Sequence, residues 1–203
     1  MELADEAGNI TNFRILKNIP VVINEHFIPD KEWRIEVFNC YETQDYSEFH
    51  GPYAFSVVGG KSKEAVYSTF KKVILLKNEE FLNLIHPTSY VSRSVNLDFG
   101  LQVEPLSAIG ACTSLGFGVN IRRSCSIGHH CILDDFVTLN PGVTLSGFVE
   151  VGKHSEIGSG ASVKNNISIG SNSIIGAGSV VVRDIPPNSI SYGNPCRVHR
   201  VKD

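Results

Sequence analysis

The sequence predicts a mainly β protein: a left-handed parallel β-helix of about five coils, preceded by a small α/β, Rossmann-like lobe. The main observation is a six-residue repeat. Every sixth residue, starting with Val91 and ending with Val181, is Ile, Leu or Val, and no insertion breaks the series. The next residue is often Gly, and the residue four positions after the aliphatic is small or β-branched in most repeats. Composition also changes near residue 85, from mixed charged and aromatic residues to Ile, Val, Gly, Ser and Asn.

The period of six separates this fold from the common alternatives. An amphipathic α-helix repeats every 3.6 residues, and a series of hairpins shows turns every 8–12 residues. Two inward positions in six residues instead indicate one short strand and one corner, so three units close an 18-residue coil. Each coil then buries its core only against its neighbours, and Gly and Asn accommodate the φ values of tight corners. A β-sandwich with accidental spacing is the alternative, and the unbroken repeat argues against it.

The chain before the repeat predicts a small lobe over residues 1–85, with the β-helix and its C-terminal tail over 86–203. Apolar and β-branched runs predict strands at 20–23, 33–38 and 53–58, a helix at 62–72 and a further strand at 73–76. In the helix we expect Ser62 as the N-cap, with Ala65 and Phe70 facing inward. Strands that alternate with helical or loop segments favour a small α/β lobe with a parallel sheet. Residues 81–87 link the lobe to the β-helix.

Charge, hydropathy and cysteine content argue against several classes of function. A net charge of −3 does not suggest the basic stripe of a nucleic-acid-binding protein. The longest aliphatic runs, of about four residues, are far shorter than a membrane span. The N-terminus lacks the basic and apolar regions of a signal peptide, so we expect a cytoplasmic protein. Five cysteines without a C-x-x-C pair favour free thiols over a disulfide framework or a zinc knuckle.

Two adjacent histidines, His129 and His130, are the candidate catalytic residues. They fall on a corner of the repeat, with Ala111 one coil earlier and Gly147 one coil later, so that small residues would leave room for a ligand beside His129. A neutral imidazole near pH 7 can take a proton from an attacking hydroxyl or amine. Two surface histidines on a turn are the alternative. A metal site would need a third histidine, and the only other one in the repeat body, His154, falls on a different face.

Two features could contact phosphate groups. Gly59 and Gly60 precede the predicted helix, whose N-terminal backbone could cradle a phosphate; a tight strand-to-helix turn explains them equally well. Basic residues near the C-terminus could meet the phosphates of a coenzyme or belong to a solvated tail, and they are Arg183, Arg197, Arg200 and Lys202. Neither G-x-G-x-x-G nor G-x-x-x-x-G-K-[ST] occurs, so nucleoside-triphosphate chemistry is not indicated.

Several segments carry a resemblance to a known family. They are the turn V-V-G-G-K-S-K-E, the junction L-I-H-P-T-S-Y-V-S, the histidine segment H-H-C-I-L-D-D-F and the tail S-Y-G-N-P-C-R-V, which together span roughly residues 35 to 200. They resemble hexapeptide-repeat acyltransferases. The nearest group is the sugar acetyltransferases of the sialic acid O-acetyltransferase NeuD type, which include the N-acetyltransferases of bacillosamine and perosamine derivatives.

The resemblance implies homotrimers, with active sites between neighbouring β-helices and acetyl-CoA along the groove. The resemblance also implies that His129 is the general base of the reaction. His130 stands at the position where the family has an acidic residue that orients this base. The coenzyme contacts that it implies are Thr138, Gly147, Ser159 and Ala177. The chain departs from the family in His130 and in its first 25 residues, which lack the glycine-rich turn G-x-G-G-H-G that holds the nucleotide.

We therefore predict an acetyl-CoA-dependent sugar N- or O-acetyltransferase without a metal ion. It would transfer acetyl to an amino or hydroxyl group of a sugar, expected to be nucleotide-linked, in surface polysaccharide or glycan biosynthesis. His129 would deprotonate the acceptor with His130 beside it, the Gly147 N–H would stabilise the oxyanion, and Gly59 and Gly60 would contact the substrate. The alternative is a non-catalytic scaffold or binding module that keeps the β-helix.

Overall fold

The computed structural model describes residues 12–17, 34–39, 52–56 and 59–201. Within these ranges the chain forms a parallel β-solenoid of about six turns, with the helix and strands of the lobe before it. The prediction of a mainly β protein built on a parallel solenoid is confirmed. No helix in the described ranges is both long enough and apolar enough to cross a membrane.

The elements are numbered in chain order. The lobe contains β1 (Asn12–Lys17), β2 (Arg34–Asn39), helix α1 (Gly60–Ile74) and a 3₁₀ turn (Asn78–Glu80). The solenoid strands are β3 (Leu84–Ile85), β4 (Tyr90–Val91), β5 (Asn96–Leu97), β6 (Gln102–Val103), β7 (Ala108–Ile109), β8 (Ser114–Leu115), β9 (Asn120–Ile121), β10 (Ser126–Ile127), β11 (Ile132–Leu133), β12 (Thr138–Leu139), β13 (Thr144–Leu145), β14 (Glu150–Val151), β15 (Glu156–Ile157), β16 (Ser162–Val163), β17 (Ser168–Ile169), β18 (Ile174–Ile175) and β19 (Val180–Val181). The chain ends in β20 (Ser189–Tyr192) and β21 (Arg197–Val201).

Three sheets form the sides of the solenoid. Sheet I contains β3, β6, β9, β12, β15, β18, β20 and β21; sheet II contains β4, β7, β10, β13, β16 and β19; sheet III contains β5, β8, β11, β14 and β17. The solenoid strands pair in parallel with partners 18 residues away, as Ile127 does with Leu145. The solenoid has about six turns rather than the expected five, because it starts at β3, before Val91, and continues to β20.

The core is a stack of inward-facing aliphatic side chains, such as Ile109 and Ile157, which are fully buried. The second inward position of the repeat holds small or β-branched residues, and where the residue has a hydroxyl it can bond to a carbonyl of the same corner one coil later. Thr113 Oγ1 donates to the carbonyl oxygen of Gly128 at 2.9 Å. Such bonds connect successive coils, so the six-residue pattern determines both the core and the corners.

The lobe agrees only in part with the sequence expectations. β1 and β2 pair in parallel, and β2 matches the strand expected at 33–38, whereas β1 was not anticipated. The run at 53–58 does not form a strand in its described part; Tyr53 makes a single bridge to Phe81. The segment at 20–23 lies outside the described residues. The proposed division at residue 85 stays a prediction.

Helix α1 corrects three details of the sequence analysis. Its N-cap is Gly59 rather than Ser62, Ala65 is exposed, and the expected strand at 73–76 is wrong because the helix continues to Ile74. Leu75 then takes a left-handed conformation that ends the helix. Phe70 is buried as expected. The helix starts earlier and ends later than the local pattern indicates because one side of it packs on the solenoid.

The contact between lobe and solenoid is a cluster of buried aromatic rings. Phe55, Tyr67, Phe70 and Phe81 of the lobe meet Phe117 and Phe136 of the solenoid, together with Leu76. The Tyr67 and Phe117 ring centroids are 4.9 Å apart, and those of Phe55 and Phe81 are 4.6 Å apart. This cluster fixes α1 along the corner between sheets III and I.

Candidate active site

The histidine corner, residues 128–131, connects β10 on sheet II with β11 on sheet III. His129 and His130 are both exposed there, and their Nδ1 atoms lie 3.0 Å apart. The two rings are nearly perpendicular, at 88°. Because a hydrogen bond between two imidazole nitrogens needs one donor and one acceptor, a single proton lies between these atoms. The Nε2 atom of each ring remains outside this contact.

Gly147 lies one coil after His129 and supports its ring. A Cβ on Gly147 would lie 2.8 Å from Cε1 and 2.9 Å from Nε2 of His129. A Cβ atom essentially never comes this close to an atom to which it is not bonded. The small residue therefore makes room for the histidine ring itself. The expectation that a ligand has room beside this ring stays a prediction.

The backbone of Gly147 also presents a hydrogen-bond donor. Its carbonyl oxygen accepts from the Asn166 N–H at 3.1 Å, whereas its N–H donates to none of the described residues. A backbone N–H fixed in this way can stabilise an oxyanion that develops beside it. The structure thus brings together three of the residues that the sequence indicated, His129, His130 and Gly147.

Phe148 completes the corner, and sequence reasoning did not assign it a role. Its ring stacks on His130 with a centroid distance of 4.9 Å and an interplanar angle of 21°, and it meets the His129 ring edge-on at 5.1 Å. His130 and Phe148 both have left-handed backbones, with φ of 56° and 58°. The signal that could have identified Phe148 is its position 18 residues after His130.

The predicted coenzyme contacts Ser159 and Ala177 lie one coil apart on the corner between sheets I and II, and both are exposed. Gly160 and Gly178 follow them, and an added Cβ at either glycine would meet nothing within 4 Å. This corner is therefore open and lined by small residues. The histidine corner lies at the opposite edge of sheet II, so one chain does not bring the two groups together.

Thr138 lies apart from the other predicted coenzyme contacts. It is 3% exposed on sheet I and pairs with Asn120 of β9. In the described part of the chain, Thr138 Oγ1 and Asn120 Nδ2 have no hydrogen-bond partner. Such an unsatisfied buried group destabilises a protein by about 1–3 kcal/mol. Its contact with the coenzyme stays a prediction.

Gly59 and Gly60 begin α1 where the helix meets the solenoid. A Cβ on Gly60 would overlap the carbonyl oxygen of Phe136, so a glycine is required for the helix to pack this closely. The first turn carries no acidic residue and no side-chain cap. This packing gives the two glycines a structural reason, and their contact with substrate stays a prediction.

Lys63 is a buried amine that the sequence analysis did not single out. It is 0% exposed, and its Nζ donates to the carbonyl oxygen of Gly118 at 3.1 Å. Burial, followed by the positive charge of Arg122, lowers the pKa of Lys63 to about 7. A lysine on an amphipathic helix is normally read as a solvated residue, so the pattern contains no signal for this burial.

His154 lies on the corner between sheets III and I, away from the histidine corner. Its Nε2 is 2.8 Å from Glu64 Oε2, and its ring stacks on Phe136 at 5.5 Å. Burial lowers the pKa of His154, and the Glu64 carboxylate opposes this effect. Across the described ranges, no group of three or more His, Cys, Asp or Glu side chains could hold a metal ion.

Two further surfaces bear on ligand binding. A concave surface of about 300 Å³ on sheet III reaches Ile132, three residues after His129, and Asp134 also lines it. At the C-terminus, Arg197 and Arg200 are exposed on β21, and Arg183 is exposed after β19. Lys202 lies outside the described residues.

Known proteins match this chain both in its repeat and in its fold. Residues 148–183 match the family described as bacterial transferase hexapeptide (six repeats), and no curated protein matches the chain. The acetyltransferase domain of PglB from Neisseria gonorrhoeae, solved with acetyl coenzyme A, is 26% identical with a TM-score of 0.79; the match covers 97% of this chain and 91% of that domain.

Two other solved structures are similar. PerB from Caulobacter crescentus, solved with CoA and GDP-perosamine, is 26% identical with a TM-score of 0.74, over 83% of this chain and 80% of PerB. WeeI from Acinetobacter baumannii shares the fold at 20% identity and a TM-score of 0.70, over 82% of this chain and 78% of WeeI. These comparisons confirm the predicted resemblance to sugar acetyltransferases with hexapeptide repeats.

Proposed function

We propose that the protein transfers the acetyl group of acetyl-CoA to an amino group of a nucleotide-linked sugar, with a hydroxyl group as the other possible acceptor. The observation that carries this proposal is the histidine corner. There the His129 ring rests on the Gly147 backbone, with its Nδ1 held by a neighbouring ring. The solved structures with CoA or acetyl coenzyme A on the same fold support this choice of donor.

In the reaction the acceptor nitrogen attacks the thioester carbonyl carbon. A C–N bond forms and the carbonyl oxygen becomes an oxyanion, which the Gly147 N–H stabilises. His129 Nε2 takes the proton from the attacking nitrogen. The oxyanion then re-forms the carbonyl as the C–S bond breaks, and the CoA thiolate that leaves takes the proton from His129. We infer that the acceptor sugar binds against the concave surface at Ile132, because this surface lies beside the histidine corner.

The active site is proposed to lie between two subunits of a homotrimer. The histidine corner and the open corner at Ser159 and Ala177 occupy opposite edges of sheet II within one chain. A groove between neighbouring chains would place the histidine corner of one beside the open corner of the next. The small residues of the open corner leave room for an extended coenzyme there.

The direct test is His129→Ala with GDP- and UDP-linked amino sugars as acceptors and CoA thiol release as the readout. We expect kcat to fall by about 100-fold or more, since general bases contribute about 10²–10⁴-fold. The variant should keep its melting temperature because the side chain is exposed. His86→Ala, in the first turn of the solenoid, is the matched control and should retain activity.

A loss of less than about 100-fold in His129→Ala would count against His129 as the base. Calorimetry with acetyl-CoA separates the enzyme from a non-catalytic scaffold. If the coenzyme does not bind at millimolar concentration, the scaffold is the correct interpretation. Sedimentation or scattering measures the subunit number, and a monomer would contradict the site between subunits.

A further inference from the structure

We propose that Arg122 and Arg123 bind an anionic group of the acceptor, a phosphate or a carboxylate, and make the enzyme selective for acceptors that carry one. This inference rests on the proposed function and on the groove between subunits. Both residues follow β9 on the corner between sheets I and II. Their position along the solenoid, their charge and the unsatisfied donors beside them each favour this role.

The level of the two arginines along the solenoid is that of His129. Arg123 lies six residues before His129 and Pro141 twelve residues after it, and both occupy the corner between sheets I and II. Successive coils are about 4.8 Å apart, so each side of a coil rises by about 1.6 Å. In a cyclic trimer whose axis runs parallel to the solenoids, the corner that faces His129 of one chain therefore carries Arg123 and Pro141 of the next.

The coenzyme and the acceptor would approach this level from opposite ends of the groove. The open corner at Ser159 and Ala177 lies one and two coils beyond Pro141, which leaves the coils before Pro141 for the acceptor. With sheet II towards the trimer axis, the outer walls of the groove are sheet III of one chain, with the concave surface at Ile132, and sheet I of the next. The two arginines therefore lie on the acceptor's side of the reacting atoms.

The charge balance at this corner favours an anionic ligand. Glu104 Oε1 lies 2.6 Å from Arg122 Nε, and Glu104 Oε2 lies 3.7 Å from Arg123 Nη1. Among the described residues, no other carboxylate lies within ion-pair distance of either arginine. One carboxylate thus faces two guanidinium groups, which leaves one positive charge in excess. The side chain of Arg123 is 62% exposed, so it can turn towards a ligand.

Unsatisfied polar groups continue the site along the outward face of β9. Asn120 lies two residues before Arg122, is 2% exposed and pairs with Thr138 of β12. Within the ranges that the structure describes, Asn120 Nδ2, Thr138 Oγ1 and Arg122 Nε have no aligned hydrogen-bond partner, although Glu104 Oε1 lies close to Arg122 Nε. Buried polar groups are normally paired, so these donors indicate acceptor oxygens that a ligand supplies. Phosphates and carboxylates have such oxygens, and guanidinium groups bind both.

Two variants with opposite changes of charge separate this role from a structural one. Arg122→Gln removes a guanidinium and Glu104→Gln removes the carboxylate, and both break the same ion pair. If the pair served only the fold, the two variants would behave alike. Arg123→Gln repeats the test at a more exposed side chain, where the fold is less at risk. Lys72→Gln, which removes an exposed charge on α1, is the matched control.

Four acceptors identify the anion. They are an amino sugar linked to GDP or UDP, the 1-phosphate of that sugar, the methyl glycoside of the corresponding amino uronic acid, and the methyl glycoside of the amino sugar itself, which has no anionic group. We expect Arg122→Gln and Arg123→Gln to lower kcat/KM by about 10- to 100-fold for phosphate or carboxylate acceptors, because a hydrogen bond to a charged group is lost. The acceptor without an anion should be unaffected.

The carboxylate variant should have the opposite effect. Glu104→Gln frees both guanidinium groups, so we expect kcat/KM to rise severalfold for the same anionic acceptors, whereas Lys72→Gln should change none of the values. A larger loss with the phosphate acceptors in the arginine variants assigns the site to a phosphate, and a larger loss with the uronic acid assigns it to a carboxylate. Calorimetric binding of the four acceptors in the presence of CoA gives the same comparison without turnover.

Three results would overturn the inference. They are equal losses for acceptors with and without an anionic group, a Glu104→Gln enzyme as impaired as Arg122→Gln, and no binding of any anionic acceptor in the calorimeter. Any of them combined with an inactive His129→Ala variant leaves the acetyltransferase proposal intact and removes only the role of the arginines. An active His129→Ala variant removes the proposed function itself, so the two failures are distinguishable.

Discussion

Gly147→Ala is the substitution that most directly tests the geometry of the histidine corner. The backbone of Gly147 is not left-handed, so alanine fits its conformation. The added Cβ would lie 2.8 Å from His129 Cε1. Ordinary contact begins near 3.4 Å, so the ring must move by about 0.6 Å or more. Because His129 is exposed, it can move towards solvent, and we expect stability to change by less than about 0.5 kcal/mol.

Activity should respond much more strongly than stability. A misplacement of about 1 Å can lower a catalysed rate by about 100-fold, which corresponds to about 2.7 kcal/mol of activation free energy. The assay is CoA thiol release at saturating acetyl-CoA, together with calorimetric binding of the coenzyme. A Gly147→Ala enzyme with kcat within threefold of the unmodified protein would refute the argument that the ring rests on this glycine.

Gly152→Ala is the matched control on another corner. Its Cβ would lie 2.6 Å from the Ser171 backbone nitrogen, and a backbone atom cannot swing away as an exposed ring can. Overpacking of this kind costs about 1–3 kcal/mol. We expect a lower melting temperature with kcat retained, which is the opposite outcome to Gly147→Ala.

Two further predictions concern the lobe. In the folded protein Lys63 loses its proton near pH 7, whereas the unfolded chain keeps it to about pH 10.4. The unfolded state thus binds more protons between these values, so Lys63 makes the free energy of unfolding rise with pH, by at most about 1.4 kcal/mol per unit. Lys63→Met should flatten that rise in urea unfolding between pH 7 and pH 9, and an unchanged slope would contradict the buried amine. Phe117→Ala removes a ring that is 2% exposed in the aromatic cluster, and we expect urea unfolding to show a loss of about 3–5 kcal/mol; a loss below about 1 kcal/mol would contradict the cluster's role.

The solenoid could be predicted because its pattern is local and repeated. Each aliphatic residue marks one strand, and the period of six predicts a column of inward-facing aliphatic residues on each of the three sides. The start of the solenoid before Val91 could also be predicted, since Ile85 lies six residues before Val91 and continues the series. The adjacency of His129 and His130 was also visible, but their Nδ1 contact depends on ring orientations that a sequence does not encode.

The lobe was harder because its structure depends on distant contacts. The aliphatic run at 73–76 has the composition of a strand, yet α1 extends into it because the helix packs on the solenoid. Gly60 and Lys63 owe their environments to Phe136 and Gly118, which lie far along the chain. Packing of this kind overrides local propensity, and only the three-dimensional arrangement reveals it.

Helix α1 has a mechanical consequence for the whole chain. It contacts Gly118 through Lys63, Phe136 through Gly60 and His154 through Glu64, and these three partners are spaced 18 residues apart on successive coils. A repeat array held only by nearest neighbours can fray one coil at a time. Because helix α1 contacts three successive coils, we expect these coils to unfold together. Under force or in hydrogen exchange, the middle of this solenoid would therefore behave as one cooperative block, with graded opening confined to the coils that the helix does not reach.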